Sequence, residues 1–279
     1  MRYRFAVTDF ANENPLTHLT ATETRLSAAL AKPKRIALGC VAALTALGWL
    51  AIGLMSAGSP LNWQALCEPS AAGGMVGGLG ELAVVVAMWM AMTLAMMLPT
   101  AGPMILTYAE IADTAARKRE PVVSPTVLTA GYVAVWLGFA VLAGSLQWKL
   151  SGAGLLEGGS VGRLVGGTLF LGAGLYQFSA LKQACLTLCQ RPFPFFFANW
   201  TTERSGVFRL GLRQGMLCLG CCWAMMGLMF ALGAMNVVWM AALGVLMTIE
   251  KLSTTARFSE AVGLAFVAVG FAMIVSSVG

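Results

Sequence analysis

Sulfur is the chemistry this sequence offers. It has 7 Cys and 17 Met against a single histidine, His18, and the sulfur residues gather in three places. In one apolar run, Cys218, Cys222, Met225 and Met229 project within roughly 60° of one another on a helix that turns 100° per residue, with Met226 at the margin. In another, Met88, Met92 and Met96 recur every fourth residue along one stripe. The third is Lys182-Gln-Ala-Cys185-Leu-Thr-Leu-Cys189, where both thiols share a helical face. Lys182 stands one turn before Cys185, and a nearby ammonium favours the thiolate, the metal-binding and nucleophilic form.

Thiols and thioethers without imidazole select soft ions, and Cu(I) fits best; zinc recruits histidine or carboxylate more often, and Mg or Mn needs oxygen. A lone buried Met or Cys is commonly a core filler. The ladder of two thiols followed by two thioethers therefore leaves a ligand reading and a packing reading open. One histidine in a polar segment removes bis-histidine haem ligation, so no haem is expected. No phosphate-binding glycine loop is present, and the apolar runs lack the carboxylates of a proton pump. Glu250 reads either as an interfacial carboxylate paired with Lys251 or as an acceptor at the exit of a metal path. Tyr176 and Gln177 need partners inside the bundle.

These residues must be positioned by membrane helices. The chain has 279 residues, 58% hydrophobic and 11% charged, with mean hydropathy +0.77, too few polar residues to cover a water-soluble surface. The expected fold is all-α, a polytopic transmembrane bundle. Seven apolar segments of spanning length can be read, at about 36 to 57, 82 to 103, 125 to 147, 163 to 184, 212 to 232, 235 to 250 and 260 to 278. The sixth is short. Threading them with the N-terminus in the cytoplasm puts 16 of the 18 Lys and Arg on that side, as the positive-inside rule requires. Residues 1–35 then form a cytoplasmic N-terminal segment and 36–279 the transmembrane domain, in a bacterial inner membrane. The net charge of +6 is topology, not a nucleic-acid footprint, because the basic residues lie between apolar runs.

Several connections carry further expectations. Cys67 falls in a Gly-rich outer loop. Arg191-Pro-Phe-Pro-Phe-Phe-Phe reads as a re-entrant or interfacial elbow. Glycine pairs such as Gly162 with Gly166, Gly74 with Gly78 and Gly211 with Gly215 allow close helix approach. A rise of about 1.5 Å per residue places Met92 level with Cys222 and Met96 with Cys218 if those helices pack side by side. With Cys185 and Cys189 at the cytoplasmic end, the result is a path of soft ligands.

The chain resembles a bacterial family of predicted metal-binding integral membrane proteins. The resemblance covers roughly residues 82 to 251 and rests on Trp89, Met92, Met96-Met97 and Pro99; Tyr176-Gln177, Lys182, Cys185 and Cys189; Gly215, Cys218, Cys222-Trp223 and Met226; and Gly233, Met235-Asn236, Met240 and Glu250-Lys251. It implies a metal-binding membrane protein and points to the same positions as the residue chemistry. The leading expectation is a protein that handles Cu(I), by transport or by delivery to a metal-donating or metal-accepting partner. Two others stand beside it: a structural or assembly subunit of a larger membrane complex, and a membrane thiol redox protein using Cys185 and Cys189. No catalytic residue is assigned.

Overall fold

The computed structural model describes residues 33–57, 79–118, 120–153, 160–232, 237–253 and 256–278. The N-terminal segment with His18, the stretch with Cys67, Gly74 and Gly78, and Gly233 to Asn236 lie outside the described residues. Among those described, every regular element is helical, as expected. We number them α1 (Pro33–Ala57), α2 (Leu79–Arg117), α3 (Pro125–Gly152), α4 (Ser160–Gln177), α5 (Ala180–Gln190), α6 (Pro192–Ala198), α7 (Arg204–Gly227), α8 (Met229–Leu232), α9 (Val237–Leu252) and α10 (Ala256–Val278).

Five stretches are long and apolar enough to cross a membrane: Ala37–Leu54, Leu79–Arg117, Pro125–Gly152, Arg204–Leu232 and Arg257–Ser277. A sixth forms if α4 and α5 count together, although they meet at a 65° bend. The count differs from seven at two places. The fourth expected span breaks at Phe178 and Ser179, where the Ser179 hydroxyl accepts from the Lys182 backbone N–H at 3.2 Å and starts a new helix, as an N-cap does. The sixth is α9, with only 16 residues. The second expected span is longer than read, because α2 continues through Pro99 and Pro103 for 39 residues. The Phe-rich elbow is the short helix α6, opened by Pro192 at a position where its missing N–H costs nothing. Phe196 packs edge-on against Tyr108 of α2 while Phe193 and Phe197 point outward.

Small residues set the packing that matters for the site. A methyl group on Gly131 or Gly211 would run into the backbone oxygen of Phe208 or Leu128, so α3 and α7 touch backbone to backbone. One turn along, Gly215 lies against Val135 and the Tyr132 carbonyl. Gly167 and Gly270 make the equivalent close approach between α4 and α10. The core gathers buried side chains of α2, α3, α7, α8 and α9, including Trp89, Met92, Tyr132, Cys222 and Met247.

Candidate metal centre

Helix α7 carries three thiols at its buried face. The sulfurs of Cys218, Cys221 and Cys222 all lie within 4.8 Å of one another, and the residues are 2%, 1% and 1% exposed. Residues three and four apart are neighbours on a helix surface, which is why one helix can present all three. Cys221 Sγ stands 3.3 Å from Cys222 Sγ and 3.1 Å from the Cys218 carbonyl oxygen. All six described cysteines are free thiols.

Three other helices converge on Cys218. From α3, the Tyr132 hydroxyl lies 3.0 Å from its sulfur and donates to the Met97 carbonyl at 3.1 Å. From α9, the Lys251 ammonium donates to Cys218 Sγ at 3.0 Å and to the Thr100 hydroxyl of α2 at 2.8 Å. The Thr100 hydroxyl in turn donates to the Met97 carbonyl at 2.8 Å. The α3–α7 contact at Gly131, Gly211 and Gly215 brings the Tyr132 ring within reach of α7. On the opposite flank, the Cys189 thiol of α5 meets that of Cys221. Cys185 Sγ packs onto Gly220, leaving no room for a side chain there, and Tyr176 donates to the Gly220 carbonyl at 2.5 Å.

The sequence-derived positions divide as follows. Cys218 and Cys222 form the centre, and Cys185 and Cys189 border it. Met92, Met96, Met225, Met226 and Met229 are all buried in the same core. Met96 packs against Gly244 of α9, whereas the polar partners of Cys218 are Tyr132 and Lys251. Glu250 does not pair with Lys251. Its carboxylate forms a buried 2.8 Å ion pair with Lys182 and accepts from Ser259 at 2.6 Å. Consecutive helical residues do not face each other, so Glu250 and Lys251 reach different partners. That pair also gives Lys182 a partner other than the Cys185 thiol. Tyr176 finds its partner in Gly220, but both polar atoms of the buried Gln177 amide lack one among the described residues. Cys40 on α1 is half-buried.

Cys221 was invisible to a stripe centred on Cys218, Cys222, Met225 and Met229, since it falls about 60° to one side of Cys218 and 100° from Cys222. The readable signal was the spacing Cys-x-x-Cys-Cys itself.

The arrangement fits one soft ion. Metal–thiolate bonds of about 2.3 Å space three sulfurs in a trigonal plane about 4 Å apart, compatible with the observed cluster. A tetrahedral ion such as zinc takes four strong ligands; the triad's polar neighbours on α2, α3 and α9 include no carboxylate or imidazole, so a fourth would have to come from the Cys189 thiol beside Cys221.

Fold and site together define a helical protein built around a buried three-thiol centre. The chain belongs to the PpoB2 copper chaperone family, whose model matches residues 86–273. The match includes every residue of the centre, and family and thiol cluster together indicate copper handling. No curated protein and no solved structure matches the chain.

Proposed function

We propose that this chain is a polytopic protein of the bacterial inner membrane that binds Cu(I) at Cys218, Cys221 and Cys222 and hands it to an acceptor protein. The observation that carries this reading is the triad: three thiols on consecutive turns of one helix, sulfurs within 4.8 Å and almost fully buried. Cu(I) is satisfied by two or three soft ligands, which such a group supplies without histidine or carboxylate. The thioethers of Met92, Met225, Met226 and Met229 in the same core offer weaker ligands for onward movement.

Membrane insertion is supported by the outward-facing side chains. Leu54, Leu142, Leu175, Leu264 and Phe271 are exposed on four different helices, a distribution suited to lipid and unsuited to water. The positive-inside asymmetry supports a cytoplasmic N-terminus. Seven crossings follow if α9 spans a locally thinned bilayer and the bent α4–α5 pair crosses as one unit. No nucleotide-binding loop is present, so any transport is facilitated or driven by an ion gradient.

The test is metal analysis of the detergent-purified chain and its Cys218→Ser/Cys222→Ser variant after anaerobic Cu(I) loading. Near-stoichiometric copper, lost in the variant, is expected. Equal and negligible copper in both would overturn the reading in favour of a structural subunit.

A further inference from the structure

The triad is closed to its surroundings, so an arriving ion needs a ligand that touches both the triad and the outside. Cys189 is placed for this. It is half-buried where the triad is buried, and its thiol meets that of Cys221. Cys185 is likewise half-buried, one turn earlier on the same face of α5, its sulfur against Gly220 beside Cys221.

Helix α5 is held in position at both ends. Near its start, Lys182 is tied to Glu250 of α9. At its end, the Gln190 amide donates to the carbonyls of Glu250 and Ser253, at 3.1 and 2.7 Å. Residue 251, next to these anchors, is the lysine that reaches Cys218. The anchors therefore fix Cys189 relative to the triad as well as the ammonium. Between them, Ala184, Thr187 and Leu188 are exposed, so the flank of α5 beside the two thiols is open.

We infer that Cys185 and Cys189 form a second soft-ligand site, at which Cu(I) arriving as a small thiolate complex lands before it moves to Cys221. The inference rests on the copper reading above. Thiolate exchange at a soft ion proceeds by attack of an incoming sulfur before the outgoing one leaves, which requires both sulfurs within reach at once. The Cys189–Cys221 contact meets that requirement. On landing, Cu–S bonds to Cys185 and Cys189 form as the bonds to the incoming thiolates break, and the two thiol protons leave on those departing thiols. In the transfer, a Cu–S bond to Cys221 forms as the bond to Cys189 breaks, a second triad thiol then displaces Cys185, and the protons of the two triad thiols pass to the Cys189 and Cys185 sulfurs. Copper stays cuprous and no electron moves.

The test is the rate of anaerobic loading of the full-length purified chain from Cu(I)–glutathione, followed by rapid mixing, in wild type, Cys189→Ser and Cys189→Met. Cys189→Ser should load about tenfold more slowly or worse, yet reach the wild-type copper content, because the exchange partner is gone and the triad is not. Cys189→Met should recover most of the rate, since a thioether is also a soft ligand. Loading of Cys189→Ser at the wild-type rate would overturn the inference alone. So would loss of copper at equilibrium, which would make Cys189 a resident ligand. A wild-type chain that takes up no copper would overturn the copper reading and this inference with it.

Discussion

Lys251 Nζ lies 3.0 Å from Cys218 Sγ, while Glu250, its neighbour in sequence, turns away to Lys182. The lysine thereby brings a positive charge into contact with the thiol centre from a helix that contributes no sulfur ligand to it. A cuprous ion on the three thiolates carries a net charge of −2, and an adjacent ammonium reduces it to −1. Uncompensated charge away from water is costly, so the ammonium should act as counter-ion to the loaded site.

Replacing Lys251 by Leu should therefore weaken Cu(I) binding about tenfold or more, equivalent to about 1.4 kcal/mol. Lys251→Arg, which keeps the charge, should retain most of the affinity. Competition against a chromogenic Cu(I) chelator at constant pH reads both. Equal affinities for wild type and Lys251→Leu would show that the ammonium plays no part in holding the ion.

The Lys182–Glu250 pair is 1% and 2% exposed, and removing one member of such a pair strands the other. Glu250→Leu should cost about 3 to 5 kcal/mol of stability, seen as a lowered unfolding temperature in detergent. The Lys182→Met/Glu250→Leu double variant should lose less than the sum of the single losses, because no unpaired charge remains. Additive losses would mean that the two groups are not energetically coupled.

Helix identity was legible because apolar runs of spanning length have few other solutions. What escaped depends on contacts between helices. The prolines at 99 and 103 suggest that the second span ends there, yet α2 continues through them, with the Thr100 and Thr107 hydroxyls bonded back to the Met97 and Pro103 carbonyls. The break before α5 had a local signal, Ser179 in capping position, masked by continuous apolar character on either side. Two of the three central thiols were legible from helical spacing. The ion pairs were not: adjacency of Glu250 and Lys251 invites a pairing that helix geometry forbids, and the partners that replace it come from residues far away in the chain.

Glycine substitutions test the α3–α7 contact that sets Tyr132 beside Cys218. Gly211→Ala places a methyl group against the Leu128 carbonyl and should destabilise by about 1 to 3 kcal/mol, the usual cost of overpacking. Gly138 lies on the same helix as Gly131 with open space around it. Gly138→Ala should be neutral, or stabilise by about 0.5 to 1 kcal/mol through reduced chain entropy. Thermal unfolding of the two variants decides the matter. Similar losses in both would mean that the backbone contact is not what holds these helices together.

Cys221 separates a stripe of ligands from a cluster. If the ion were held along one helical face, by Cys218, Cys222, Met225 and Met229, Cys221 would stand aside and Cys221→Ser would leave copper binding intact. The geometry instead puts the Cys221 sulfur 3.3 Å from that of Cys222 and joins all three thiols within 4.8 Å, with Cys221 the member that touches Cys189. Cys221→Ser should therefore reduce Cu(I) affinity as strongly as Cys222→Ser. Met229→Leu, which removes a thioether but preserves volume, should change it by less than about threefold, since hydrophobic swaps of similar size are well tolerated. X-ray absorption of the loaded protein gives an independent reading through its count of sulfur neighbours. Three short copper–sulfur bonds in wild type and two in Cys221→Ser are expected, whereas an unchanged count would return the site to the stripe.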